Sequence, residues 1–196
     1  MTDRKEATGV LSKLTEKYLS PNGDPRIYWA KEVTFDYSTD HRVRVDYMMF
    51  KPVNNSVSGI EHGDFYCYEI KSSVEDFRSK NGHNMIGDYN YYVMPAGVFD
   101  VVKNEIPWNV GVLVPEIFTQ KRWRPPLLME EVYQSEAHLQ SVKNAHRANR
   151  EKPISEMLLM MFRSCARNVR KETVVDTERK NGDATSSEDA DIASLI

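Results

Sequence analysis

The sequence predicts an α/β fold, a mixed sheet flanked by helices, with a helical C-terminal extension. Three observations predict it. Three strand-like runs follow one another between residues 26 and 71, separated by polar or turn-rich connections. Helix-like stretches beginning at Val74 and near residue 97 then alternate with strand-like runs over 89–94 and 111–114, the pattern of a crossover feeding a parallel strand. After Pro125-Pro126 the apolar spacing turns helical.

Taken in order, residues 6–19 read as a helix, because Val10, Leu11, Leu14, Tyr18 and Leu19 recur at three- and four-residue spacing. The breaker cluster Ser20-Pro21-Asn22-Gly23-Asp24-Pro25 ends it. Residues 26–35 form the first predicted strand, and 36–40 a hairpin-like connection. Residues 42–51 form the second strand, stopped by Pro52. A polar loop over 53–63 leads to the third strand, 64–71, which is rich in aromatic residues. Ser72 or Ser73 caps a helix from Val74, with Glu75 and Asp76 favourable in its first turn. Asn81-Gly82 interrupts or bends that helix, which resumes through His83 to Gly87. A strand over 89–94 should lie parallel to the third. A short helix over 97–104 and a buried strand over 111–114, closed by Pro115, complete the sheet. Residues 129–150 read as a polar helix with a thin stripe of Val132, Leu139 and Val142. A second helix follows Pro153, with Ile154, Met157, Leu158, Met161, Phe162, Cys165 and Val169 along one side. The predicted organisation is therefore a domain over 1–120, a helical extension over 121–175 and a disordered acidic tail over 176–196.

Composition sets the class. The 196 residues are 40% hydrophobic and 28% charged, the profile of a soluble protein able to bury one core. The net charge of -3 hides an asymmetry: residues 119–172 hold eleven Lys or Arg against six Glu, whereas from Asp176 onward six acids face Arg179 and Lys180. The basic stretch is compatible with a polyanion partner. Cys67 and Cys165 lack CxxC or ligand spacing, which argues against a disulfide framework or zinc site and for a reducing, cytoplasmic setting. No signal peptide is visible, and no membrane span is expected.

The chemistry concentrates at the end of the third strand. Alternate strand side chains share a face, so Glu69 and Lys71 point one way while Tyr66, Tyr68 and Ile70 point the other. A Glu and Lys so placed can be a plain surface pair, worth little. They can also be half of a metal-dependent phosphodiesterase site, with Asp46 of the neighbouring strand as the second acid. Magnesium favours one or two carboxylates plus waters and substrate oxygens. Asp46, Glu69 and the Ile70 backbone carbonyl would supply such ligands, with Lys71 holding or activating a water.

Asp46, followed by Glu69-Ile70-Lys71, resembles the motif of the PD-(D/E)XK nuclease superfamily, with Val45 standing where the motif has proline. Tyr68-Glu69-Ile70-Lys71-Ser72-Ser73-Val74-Glu75-Asp76-Phe77 is similar to the "EIKSS…DF" segment of the MmcB family, predicted DNA-repair nucleases. Arg44-Val45-Asp46 is similar to that family's "RAD", and 91–95 and 106–114 are similar to its later strands. The resemblance covers roughly residues 26–116. It departs at 81–85, where that family tends to have Lys-Trp. It implies a restriction-endonuclease-like fold, Asp46 and Glu69 as ligands of Mg2+ or Mn2+, Lys71 as the catalytic lysine, and DNA as substrate in repair or processing. An additional upstream acid is common in the superfamily. The candidates here are Glu32, favoured because it sits just ahead of the Arg-x-Arg-x-Asp strand, and Glu16. A non-catalytic nucleic-acid- or protein-binding module on the same fold is the alternative. The C-terminal helices are candidates for holding DNA, a second copy or another protein.

Overall fold

The computed structural model of the chain describes residues 4–20, 27–37, 39–122 and 132–170. The elements are α1 (Arg4–Leu19), β1 (Tyr28–Phe35), β2 (Val43–Lys51), α2 (Val57–Glu61), β3 (Asp64–Ile70), α3 (Val74–Arg78), β4 (Tyr89–Val93), α4 (Ala96–Val102), β5 (Gly111–Arg122), β6 (Val132–Lys143) and α5 (154–170). The six strands form one sheet in sequence order. β1–β2, β2–β3 and β5–β6 pair antiparallel, while β3–β4 and β4–β5 pair parallel. The sheet is thus mixed and flanked by helices, and β4 is parallel to β3 as expected.

Both faces are covered. Leu11 and Leu19 of α1 pack with Tyr47, Tyr68, Ile70, Val93, Leu113 and Leu139 on one face. The buried Thr15 hydroxyl donates to the Leu11 carbonyl at 2.8 Å, so its burial leaves no orphan donor. On the other face, Met157 and Met161 of α5 close over Val33, Phe35, Val45, Met48, Phe50, Phe65 and Cys67. Beyond them Phe77 of α3 and Val102 of α4 pack on Tyr92, Val112 and Val114. Tyr68 and Ile70 therefore do face away from Cys67, as strand alternation requires.

Several sequence expectations are corrected. Of the stretch read as a helix over 129–150, residues 132–143 are strand β6, paired with β5 along its length, and 144–150 are irregular. An open sheet edge offers a row of unpaired backbone groups, and pairing with it outweighs weak helical periodicity. β5 does not close at Pro115 but runs on to Arg122. Pro115 lies beyond the last β4 pair, Val93↔Leu113, where β5 has become an edge and proline is tolerated. The helix from Val74 ends at Arg78 and does not resume over 83–87. The loop over 53–63 contains α2, capped by the Ser56 hydroxyl, which accepts the Gly59 amide. Phe162 and Val169 are exposed and do not join the α5 core stripe. The predicted acidic tail lies outside the described residues.

The irregular segment after β6 is tied down by charge. Asp88, buried just before β4, accepts from the Phe65 amide at 2.9 Å and from Arg150 at 3.0 Å, and Arg147 lies 2.8 Å from Asp64 and 3.4 Å from Asp88. Among the described residues, no helix is long and apolar enough to cross a membrane.

Candidate metal centre

The site forms where β2 and β3 separate. Their last regular pair is Tyr47↔Tyr68. One step further, Asp46 places Oδ2 3.0 Å from the Ile70 amide and accepts its hydrogen bond, taking the position a β2 carbonyl would fill in a continuing ladder. Opposite β1, the pairs Lys31↔Tyr47 and Val33↔Val45 bracket Glu32 and Asp46. Glu32 has φ 55°, in the left-handed region that a residue bearing a Cβ rarely adopts. α5 answers that irregularity: Ser164 donates to the Lys31 carbonyl, and Arg167 to the Glu32 carbonyl at 2.6 Å.

Glu69 and Lys71 extend from the end of β3 and are 1% and 2% exposed. Asp46 is half-buried. Burial pushes the Glu69 carboxyl up to about 9, and the neighbouring charge of Asp46 adds to it; the positive charge of Lys71 and the Asn84 amide only partly offset this. Burial also raises Asp46, opposed by the Ile70 amide, Arg44, the Glu69 carboxyl and Lys71. The two acids are therefore coupled, and Glu69 is the one that keeps a proton near neutrality. Its Oε1 is buried without a hydrogen-bond partner. An orphaned carboxyl oxygen is costly unless something else satisfies it, and a hard cation that displaces the Glu69 proton would do so. The residues present thus fit a divalent ion held by Asp46 and Glu69, with the Ile70 carbonyl adjacent.

A loop over 79–84 covers the pair. Lys71 Nζ donates to the Asn81 carbonyl at 2.6 Å and the Asp76 carbonyl at 3.4 Å. Gly82 has φ 69°, and a Cβ there would stand 2.9 Å from Lys71 Nζ and 3.2 Å from Glu69 Oε2. Asn84 donates to the Arg44 carbonyl at 2.7 Å, tying the loop to β2. His83 lies 2.9 Å from the Ser79 carbonyl through Nε2 and 2.6 Å from the Tyr92 hydroxyl through Nδ1. The carbonyl can only accept, so Nε2 carries the proton and Nδ1 accepts from Tyr92. His83, although exposed, is thus an anchor of this loop.

The sequence candidates divide cleanly. Asp46, Glu69 and Lys71 are brought together. Glu32 is close in register to Asp46, on the adjacent strand β1. Glu16 sits on the α1 face, accepting from the Tyr47 hydroxyl at 3.0 Å and facing Lys31 at 3.5 Å. Among the described residues, no group of three His, Cys, Asp or Glu side chains is arranged to hold a metal. Asp76 serves its own helix, accepting from the Ser72 amide at 3.0 Å while its amide donates to Ser73 Oγ at 3.1 Å. Gly82, His83 and Asn84 did not stand out as site residues. The signal for them was the Asn81-Gly82 turn pair, which marks a loop but not where it folds. No family model matches the chain, and no curated protein and no solved structure matches it either.

Proposed function

We propose that the chain is a divalent-metal-dependent deoxyribonuclease of the PD-(D/E)XK type, acting on DNA in repair or processing. The observation that carries this reading is the coupled pair Asp46 and Glu69, with the orphaned Glu69 Oε1, beside Lys71 where two strands part. A surface ion pair would be solvated; this cluster is buried, which is costly unless the site has a use for it. The resemblance of the surrounding motif supports the same reading. Asp46, Glu69 and the Ile70 carbonyl would hold Mg2+ or Mn2+, which neutralises charge developing on phosphate oxygens when bound. Lys71 would orient a water and stabilise charge on it. Glu32 is the candidate for completing the acid set from β1.

The burial of Glu69 and Lys71 beneath the 79–84 loop favours a second reading, a nucleic-acid- or protein-binding module with the site unused. Cleavage of single-stranded, duplex and branched DNA with Mg2+ or Mn2+ separates the two. Wild-type cleavage lost in both Lys71→Ala and Asp46→Asn supports the nuclease. Equal activity in all three proteins would falsify the assignment of these residues. No cleavage by any of them, with no metal bound by the wild type, would favour the binding module.

A further inference from the structure

The α1 face carries a feature that the metal centre does not use. A groove of about 660 Å³ runs beside the end of α1, over β2, β3 and β4. Tyr66 and Tyr68 reach it from β3, so Glu69 and Lys71 face the opposite side of the sheet. The tyrosines form two stacked pairs across the strands. Tyr66 lies 4.8 Å from Tyr89 with rings 15° apart, and Tyr68 lies 5.5 Å from Tyr91 with rings 17° apart. Tyr18 of α1 meets Tyr68 edge-on at 6.2 Å and is 42% exposed.

The charged side chains that line this groove are basic, although Asp64 stands opposite Lys51 in the β2–β3 register. Lys17, Lys51 and His138 line it, and none of its described lining residues is Asp or Glu. His138 also faces Glu116 at 3.7 Å. An apolar ligand would have no use for the lysines, and a bare anion would have none for the rings. Together they match a ligand with a flat aromatic part and a negative part.

We propose that this groove binds a nucleoside phosphate, the base against the accessible rings of Tyr18, Tyr66 and Tyr91 and the phosphate on Lys17 and Lys51. Stacking on tyrosine is tolerant of base identity because every base offers a π-face. The site should therefore accept purines and pyrimidines alike. It needs neither metal nor Asp46, so it stands apart from the nuclease reading.

Titration calorimetry of the full chain in chelator, with dAMP, a short oligothymidylate and inorganic phosphate as probes, tests it. Tyr18→Ala and Lys51→Glu change exposed side chains, and circular dichroism checks that both variants fold. Binding of dAMP or the oligonucleotide, weakened about tenfold by each variant and unchanged in Asp46→Asn, is the expected result. Binding of the oligonucleotide alone keeps the proposal and makes a strand, not a free nucleotide, the source. No binding of either nucleotide overturns it. So does inorganic phosphate binding as tightly as dAMP, or affinity that falls in Asp46→Asn but in neither groove variant.

Discussion

Asp46 and Ile70 are joined by a hydrogen bond from the Ile70 amide to Asp46 Oδ2, 3.0 Å long, in the place where the β2–β3 ladder would otherwise continue. This contact gives the Asp46 carboxylate a structural task as well as a proposed ligand role. It also keeps the second carboxylate oxygen close to Glu69, one residue before Ile70.

The two tasks can be separated by substitution. Asp46→Asn keeps an oxygen that can accept from Ile70, whereas Asp46→Ala does not. Asp46→Ala is expected to lose about 1–3 kcal/mol of stability and Asp46→Asn clearly less, as read by urea denaturation. Both should lose Mn2+ binding, as read by calorimetry. Equal destabilisation by both would count against the hydrogen bond.

Glu69 predicts an unusual pH dependence. Its carboxyl is raised to about 9 in the fold, above the ordinary glutamate value near 4.5. Between those values the folded state holds a proton the unfolded chain has released, so stability contributed by this group is present below about pH 4.5 and is lost as pH rises towards 9. Glu69→Gln, which cannot ionise, should flatten that decline and raise the melting temperature of the metal-free protein at pH 8. Metal binding should release a proton at pH 7, measurable in buffers of different ionisation enthalpy.

Gly82 sits in the left-handed region, and a Cβ there would press on the ends of the Lys71 and Glu69 side chains. Gly82→Ala should cost about 1–3 kcal/mol through strain and displace the 79–84 loop. If the nuclease reading holds, cleavage should change by more than the stability loss explains. Thermal melts alongside initial rates distinguish the two effects.

Asp88→Ala would leave the Phe65 amide without its acceptor at the start of β3 and take the carboxylate from Arg150, which keeps the Gly63 carbonyl at 3.3 Å. A loss of about 3 kcal/mol is expected, because a buried partner is stranded. Proteolysis should then cut first within 144–150, the segment that Asp88 tethers.

How much of this was legible in the sequence depends on where the decisive forces lie. β2 and β3 could be read almost to the residue, because Tyr47, Met48, Phe50, Phe65 and Tyr68 alternate between two covered faces and turn residues bound both runs. The juxtaposition of Asp46 with Glu69 and Lys71 was legible for the same reason. β6 was not, because its stripe of Val132, Leu139 and Val142 follows helical spacing and not the two-residue alternation of a strand, and its pairing depends on the distant edge of β5. The left-handed turn at Glu32 had no signal either, since its carbonyl is satisfied by Arg167, far along the chain. The loop over 79–84 was visible as a breaker but not as a cover. That role rests on single contacts of His83, Asn84 and Gly82.

The two cysteines divide the chain's thiol chemistry between surface and interior. Cys165 lies exposed on α5, while Cys67 is sealed in the β3 core, with burial holding its thiol well above the ordinary range. A maleimide should therefore add once to the native protein, at Cys165, and again only when the sheet opens. The second addition becomes a clock for separation of β3 from its neighbours. Because Glu69 lies two residues along the same strand face, the same clock would register how far a bound cation holds that strand shut.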